Sequence, residues 1–165
     1  MILAGIDADL SGGLVCIQFP EKKVLDCRSM PSIKMDKGRR LDNRAVHTIL
    51  QTFAKSGCKT IAVEKAIVKP QFGKAGATMQ GGVGTTHQTS GGLLALCEIN
   101  FERVHPAWPS SWKKQMGVTS DKDQTREKAI DLMPSMAHVF KLKKNTGIAE
   151  AALLCFWLYG FKKCI

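Results

Sequence analysis

The chain has 165 residues, 44% of them hydrophobic, which fits a globular protein and excludes a disordered or fibrous one. This length suits one hydrophobic core, so we predict a single domain over residues 1–165. The longest apolar run, residues 149–161, is too short and too interrupted to span a bilayer, and no pattern of a secretory signal is found. We therefore expect no membrane partner.

The net charge of +10 indicates a polyanionic partner, because Lys and Arg release condensed counterions when they neutralise phosphates. Charge that serves only solubility is the alternative. The positions of the basic residues favour nucleic acid, since they gather mostly in apparent loops or helix starts. These clusters lie at residues 34–44, 65–74, 113–128 and 141–144.

The six cysteines are scattered, without a C-x-x-C pair or a nearby histidine at zinc spacing. We interpret them as thiols in a reducing compartment, so zinc is not implied. They are Cys16, Cys27, Cys58, Cys97, Cys155 and Cys164.

The first part of the chain predicts a β-meander. Ile2–Asp7 is typical of a buried strand, and a turn containing Gly12–Gly13 leads into a second strand, Leu14–Phe19. We expect the two glycines to permit the bend. Lys23–Arg28 predicts a third, more exposed strand, whereas the basic segment Ser29–Arg40 lacks periodicity and is predicted to be a mobile connection.

A helix and a parallel strand are predicted next. Apolar residues recur at helical spacing after Asp42, and Gly57 provides a stop. The β-branched run Thr60–Glu64 predicts a strand. A strand, a helix and a strand in this order indicate a right-handed crossover, so this strand should pair in parallel with the first.

The rest of the chain alternates loops, helices and a strand. Lys69–Gly84 is rich in Gly, Lys and Gln and predicts a loop, followed by a helix over Thr85–Glu98 and a short strand at Phe101–His105. Ser120–Asp123 resembles a capping box, and the helix that it begins should end at Pro134.

Three acidic residues are predicted to converge. Asp7 and Glu64 end the two strands predicted to be parallel, so their carboxylates should emerge at one edge of the sheet. Glu150 lies in the first turn of a final helix that begins near Gly147. Taken singly, each residue has an ordinary structural explanation. Asp7 can form an Asx-turn, Glu64 can be a solvated carboxylate, and Glu150 can be a favourable charge in the first turn of a helix. Together, oxygen ligands without thiolate or imidazole favour Mg²⁺ or Mn²⁺, and two ions roughly 4 Å apart can hydrolyse a phosphodiester.

Ordered motifs over nearly the whole chain resemble those of RuvC-type Holliday-junction resolvases. The three acidic segments that carry the resemblance are GIDADLSGG, AVEKAIV and GIAEAALL. Further pieces resemble the chloroplast branch of this family in plants and algae, and related phage proteins. They are PQFGK, SWKK, DKDQTRE, MPSM and KKNTGIAEA.

The resemblance implies an α/β, ribonuclease-H-like (RuvC-type) fold with a mixed five-stranded sheet flanked by helices. It implies a homodimer that nicks four-way (Holliday) DNA junctions symmetrically, using Mg²⁺ or Mn²⁺, with two ions per active site and no small-molecule cofactor. It also implies an organelle if the source is eukaryotic, and the cytoplasm otherwise. We recognise no targeting signal within the sequence given.

Roles also follow from the resemblance, residue by residue. Asp7, Glu64 and Glu150 match metal-ligand carboxylates, and Lys113 or Lys122 matches a lysine that assists catalysis. Bases at the junction centre should be contacted from the Pro70–Gly84 loop, where Phe72 can equally be a minor core residue. The predicted DNA-binding residues are Lys69, Gln71, Phe72, Lys74, Gln80, Lys114, Lys122 and Arg126.

One position departs from the family pattern, which has a fourth acid shortly before the last glutamate. Asn145 stands where an aspartate is expected, and we include it among the catalytic candidates. Three explanations stay open: the protein binds metal more weakly, Asp121 or Asp123 provides the fourth ligand, or the asparagine inactivates the protein. If Asn145 belongs to the site, Asn145→Asp should raise Mg²⁺-dependent nicking.

Two other functions remain open. One is a catalytically weakened or inactive junction-binding protein of the same fold, and the other is a ribonuclease-H-like nuclease on RNA–DNA hybrids. The Gly- and Gln-rich loop favours a partner with an open centre over a plain hybrid. We assign no role to histidine and expect the tryptophans to be core or loop anchors: Trp108, Trp112 and Trp157.

Overall fold

A mixed five-stranded sheet lies at the centre of the computed structural model, which describes residues 1–65 and 79–163, with side chains for 1–65 and 90–160. Its strands are β1 (Ile2–Asp7), β2 (Gly13–Gln18), β3 (Lys23–Ser29), β6 (Thr60–Glu64) and β7 (Arg103–Ala107). They lie in the order β3-β2-β1-β6-β7. Strands β1, β2 and β3 form the predicted antiparallel meander, and β1, β6 and β7 are parallel.

Helices cover both faces of this sheet. They are α1 (Asn43–Lys55), α2 (Met79–Asn100), α3 (Pro109–Met116), α4 (Lys122–Leu132), α5 (Ala137–Phe140) and α6 (Thr146–Lys163). Alternate strand residues point to opposite faces and so feed two hydrophobic cores. Ile6 packs in the core formed with α1 and α2, whereas Leu3 packs in the core that contains Leu154 of α6. The predicted α/β class and the sheet flanked by helices are confirmed.

The segment predicted to be a mobile connection is instead a two-stranded antiparallel ribbon. It consists of β4 (Ser32–Lys34) and β5 (Arg39–Leu41), and Ser32 pairs with Leu41. Gly38 closes its turn with a φ of +85°, which favours glycine. The sequence prediction was wrong because three-residue strands of mostly polar residues carry no hydrophobic alternation.

Other boundaries also differ from the predictions. Helix α2 begins at Met79, so residues 79–84 are helical and not loop, and the predicted loop before Met79 lies outside the described residues. Strand β7 begins at Arg103, because Phe101 packs into the core at the end of α2. The residue that caps α4 is Asp121 and not Ser120: its carboxylate accepts the amide of Asp123 at 2.8 Å.

Among the described side chains, none of the cysteines forms a disulfide. In the described ranges of the chain, no helix combines the length and the apolar composition needed to cross a bilayer.

Candidate active site

Three carboxylates converge at one edge of the sheet, as predicted. Oxygen atoms of Asp7, Glu64 and Glu150 lie within 4.8 Å of one another. Asp7 ends β1 and Glu64 ends its parallel neighbour β6, while Glu150 reaches them from one turn inside α6. Among the described residues, this is the group of acidic, histidine or cysteine side chains whose geometry can hold a metal ion.

Glycines allow α6 to approach this edge. Gly12, in the turn after β1, forms an isolated parallel bridge with Gly147 at the start of α6. A Cβ atom on the neighbouring Gly13 would lie 2.8 Å from Cα of Ile148. Neither glycine has a positive φ, but a Cβ atom on Gly12 would lie 2.1 Å from the carbonyl oxygen of Asp7 within the turn itself. Gly12 therefore permits the predicted bend through the close approach of its backbone, and Gly13 permits the contact with α6.

Burial and mutual repulsion act on these carboxylates. The pKa of Asp7, which is 5% exposed, is raised well above its ordinary value by burial and by the negative charges of Glu150, Glu64 and Asp9. Burial and the charge of Glu150 also raise the pKa of Glu64. A site with these shifts favours a cation between its acids.

Helix α3, which the sequence did not predict, supplies two partners to the acids. The ammonium Nζ of Lys113 donates to Oε1 of Glu150 at 2.7 Å, and the indole Nε1 of Trp112 donates to Oε1 of Glu64 at 3.2 Å. Burial lowers the pKa of Lys113, but its hydrogen bond to Glu150 and the nearby carboxylates raise it more. Of the two lysines considered for catalysis, Lys113 is the one that contacts the acids.

The carboxylates lie in an open cleft of about 410 Å³ with a strongly basic rim. Besides Lys113, four lysines line it, and they come from three separate segments of the chain. The cleft is lined by Asp7, Ala8, Asp9, Ser11, Glu64, Lys65, Pro109, Lys113, Ser120, Lys122, Lys143, Lys144, Thr146, Gly147 and Glu150. An acidic floor under a cationic rim can hold a phosphodiester above a cation.

Asn145, the predicted fourth position, does not line the cleft. Its side-chain Nδ2 donates to the carbonyl oxygen of Val139 at 2.9 Å. The two proposed substitutes are also engaged elsewhere, since Asp121 caps α4 and Asp123 pairs with Arg126. Neither belongs to the group of converging acids.

The predicted DNA-binding residues occupy different surroundings. Lys122 lines the cleft, and Lys114 is exposed on α3 outside it. Arg126 is not the surface contact that we expected: it is 8% exposed, donates from Nη1 to Oγ1 of Thr146 at 3.0 Å and pairs with Asp123. It therefore stabilises the start of α6. The remaining predictions lie outside the described residues or, for Gln80, the described side chains: Lys69, Gln71, Phe72, Lys74 and Gln80.

The tryptophans divide into different roles. Trp112 is fully buried, as predicted for a core anchor, and Trp157 donates from Nε1 to Oε1 of Gln115 at 2.8 Å. Trp108 is 53% exposed, so of the two predicted alternatives it is not a core anchor. The sequence signal that separates them is weak, because Trp108 and Trp112 lie four residues apart on either side of the start of α3.

The fold is that of known structures. The structure superposes on that of Thermus thermophilus RuvC with a TM-score of 0.62 and 14% sequence identity, over 99% of this chain and 96% of that chain. T. thermophilus RuvC in complex with Holliday junction substrate gives a TM-score of 0.60 at 15% identity, with the same coverage. These matches confirm the predicted ribonuclease-H-like, RuvC-type fold. No protein-family model matches the chain, and no curated protein matches it.

Proposed function

We propose that this protein is a divalent-metal-dependent endonuclease that nicks four-way DNA junctions symmetrically as a homodimer. The observation that carries the proposal is the convergence of Asp7, Glu64 and Glu150 under a rim of lysines. Nucleic-acid backbones are polyanions, and two metal ions held by carboxylates can stabilise both the attacking and the leaving oxygens when a phosphodiester is cleaved.

The residues present fit Mg²⁺ or Mn²⁺. All three ligands are carboxylates, and hard oxygen donors of this kind select these ions over zinc. The raised pKa values of Asp7 and Glu64 indicate acids that lack a full counter-charge from the protein itself. Bound at Asp7, Glu64 and Glu150, two such ions would supply an activated water and stabilise the leaving oxygen.

The protein's own side chains have separate tasks in this mechanism. Lys113 donates a hydrogen bond within the group of acids and is placed to stabilise charge that develops on a phosphoryl oxygen. The Trp112 indole fixes one oxygen of Glu64, and the Arg126 guanidinium fixes Thr146 at the start of α6. These contacts hold the carboxylates in position before the substrate binds.

A four-way junction as the substrate is supported by three features. The protein carries a net charge of +10, and its cleft rim adds Lys65, Lys122, Lys143 and Lys144. It shares its fold with T. thermophilus RuvC, which is known in complex with a Holliday junction substrate. Symmetric nicking requires two active sites, so a homodimer follows from the proposed reaction.

A second candidate is a junction-binding protein that has lost catalysis. The observation that favours it is the position of Asn145, whose amide turns to Val139 and leaves three acids in the group and not four. Cleavage measurements separate the two functions, because both predict binding to the junction.

The decisive experiment compares a labelled four-way junction, a linear duplex and an RNA–DNA hybrid in Mg²⁺, Mn²⁺ or chelator. We expect nicking of the junction with metal, no nicking by Glu64→Gln, and unchanged nicking by Glu102→Gln. Glu102 is a matched control because it pairs with Lys59 at the opposite end of the sheet. Mixed dimers of wild type and Glu64→Gln should make single nicks.

Each proposed property can fail separately. Junction binding without cleavage in any metal would leave the second candidate. Equal cutting of the linear duplex would contradict junction selectivity, and preferred cutting of the hybrid would indicate a ribonuclease-H-like substrate. A monomer that makes paired nicks would contradict the homodimer.

A further inference from the structure

An exposed indole lies beside the cleft, directly before the lining residue Pro109. Trp108 is 53% exposed. Among the described side chains, it is the only aromatic residue in the set of large hydrophobic residues that are exposed. An indole normally contributes much to a core, because burying it removes about 150–250 Å² of surface from water. Its exposure beside the cleft therefore indicates a ligand-binding surface.

The pairing of two strands places Trp108 beside Lys65. Strands β6 and β7 are parallel, with Glu64 opposite Ala107. The amide of Lys65 donates to the carbonyl of Ala107 at 2.8 Å, so the pairing continues one residue beyond Glu64. Trp108 follows directly, at the edge where the carboxylates converge.

A cation covers part of this indole. Nζ of Lys65 lies 4.4 Å from the centroid of the Trp108 ring, within the range of a cation–π contact. Lys65 also lines the cleft, as does Pro109, the residue after Trp108. The aromatic ring and a positive charge thus lie together, next to Glu64.

We propose that Trp108 and Lys65 form a binding site for an unpaired nucleobase of the DNA strand, an inference that rests on the proposed function. The indole stacks on the base, and the ammonium of Lys65 neutralises an adjacent phosphate. Stacking on an aromatic side chain tolerates every base and requires that the base be unpaired. A strand whose phosphate lies over the carboxylates passes this rim, so the site favours DNA that is opened near the scissile bond.

The test measures binding in chelator, where no cleavage can occur. The probes are fluorescent single strands of about 12 nucleotides, one of oligothymidylate and one abasic strand with the same number of phosphates. Trp108→Ala should weaken binding of oligothymidylate about fivefold or more and leave binding of the abasic strand unchanged. Trp108→Phe should retain most of the affinity, and Trp157→Phe, outside the cleft, should retain all of it.

Lys65→Met should weaken both probes to a similar extent, because it removes a charge and no aromatic ring. Circular dichroism and thermal unfolding of each variant establish that it is folded. Phenylalanine retains an aromatic face, so Trp108→Phe reports on stacking even where alanine lowers stability.

Three results would overturn the inference: wild type that binds neither probe, a Trp108→Ala variant that binds both as wild type does, or equal weakening of both probes. Junction nicking in Mg²⁺ is measured in parallel. If the proposed function is wrong, the wild-type protein does not nick the junction in Mg²⁺, whatever the result with the two single strands.

Discussion

A Cβ atom on Gly147 would lie 2.4 Å from Cα of Gly12, so α6 and the turn after β1 touch through their backbones alone. This contact sets the distance between Glu150, on α6, and Asp7, at the end of β1. Gly147→Ala should lower the free energy of unfolding by roughly 1–3 kcal/mol, because neither backbone can give way cheaply. It should also weaken Mg²⁺ binding by moving Glu150.

The matched control is Gly160→Ala on the same helix. A Cβ atom at Gly160 meets nothing within 4 Å, so alanine there should stabilise the helix by about 0.5–1 kcal/mol. Chemical denaturation of both variants, with and without Mg²⁺, checks the prediction. Wild-type stability and metal binding in Gly147→Ala would contradict it.

The sequence predicted Asp7 and Glu64 well because strand ends are local features, and a crossover brings parallel strand ends together. The approach of Glu150 depends on Gly12 and Gly147, which are 135 positions apart by their numbers, and only the structure shows their contact. Helix α3 was not predicted, since it is eight residues long and has one buried residue, Trp112, which shows no periodicity. The partners of Glu64 and Glu150 were therefore largely missed.

The burial of Asp7 predicts a specific dependence of stability on pH. Its pKa is raised by burial and by neighbouring acids, so the folded protein holds the proton more tightly than the unfolded chain. Without metal, this stabilisation is complete below the ordinary aspartate pKa of 3.8 and is lost as the pH rises through the raised pKa.

Asp7→Asn removes this titration, so in chelator it should unfold at a higher temperature than wild type at neutral pH. The difference should shrink as the pH falls toward the ordinary value. Mg²⁺ should stabilise wild type and not Asp7→Asn, since a ligand that binds the folded state raises its stability. Asp131→Asn, exposed on α4, is the control. A variant less stable than wild type in chelator would contradict the assigned effect of burial.

Asn145→Asp tests whether the fourth position can join the site. The asparagine amide donates to the carbonyl of Val139, and a carboxylate cannot donate there. In chelator, aspartate should lower the free energy of unfolding by about 1–3 kcal/mol, because it leaves that carbonyl facing a negative charge.

In Mg²⁺, we expect Asn145→Asp to regain stability and to nick junctions faster than wild type, as its carboxylate turns toward the other acids. Asn145→Ala loses the same hydrogen bond without gaining a charge, so Mg²⁺ should not restore the stability of this variant. Thermal unfolding with increasing Mg²⁺ separates the two variants. Equal responses to metal would remove position 145 from the site.

The ribbon of β4 and β5 emerges at the same edge as the acids. The amide of Met30 donates to the carbonyl of Gly12 at 2.9 Å, and this bond holds the base of the ribbon beside the β1–β2 turn. Four exposed cations follow, and within the described residues none of them forms an ion pair. They are Lys34, Lys37, Arg39 and Arg40. Charges in this position are available for the phosphates of a DNA arm that leaves the cleft.

Lys37→Ala combined with Arg40→Ala should therefore flatten the plot of log affinity for the junction against log salt concentration. Each phosphate contact contributes a slope of about 0.9, so the double variant should lose close to 2 if both residues contact DNA. Lys23→Ala combined with Lys55→Ala removes the same charge from the opposite end of the sheet, at the first residue of β3 and the last residue of α1. If both double variants lose the same slope, the net charge of the protein and not the ribbon accounts for the effect. Contacts between the ribbon and DNA phosphates would be lost in the ribbon variant alone.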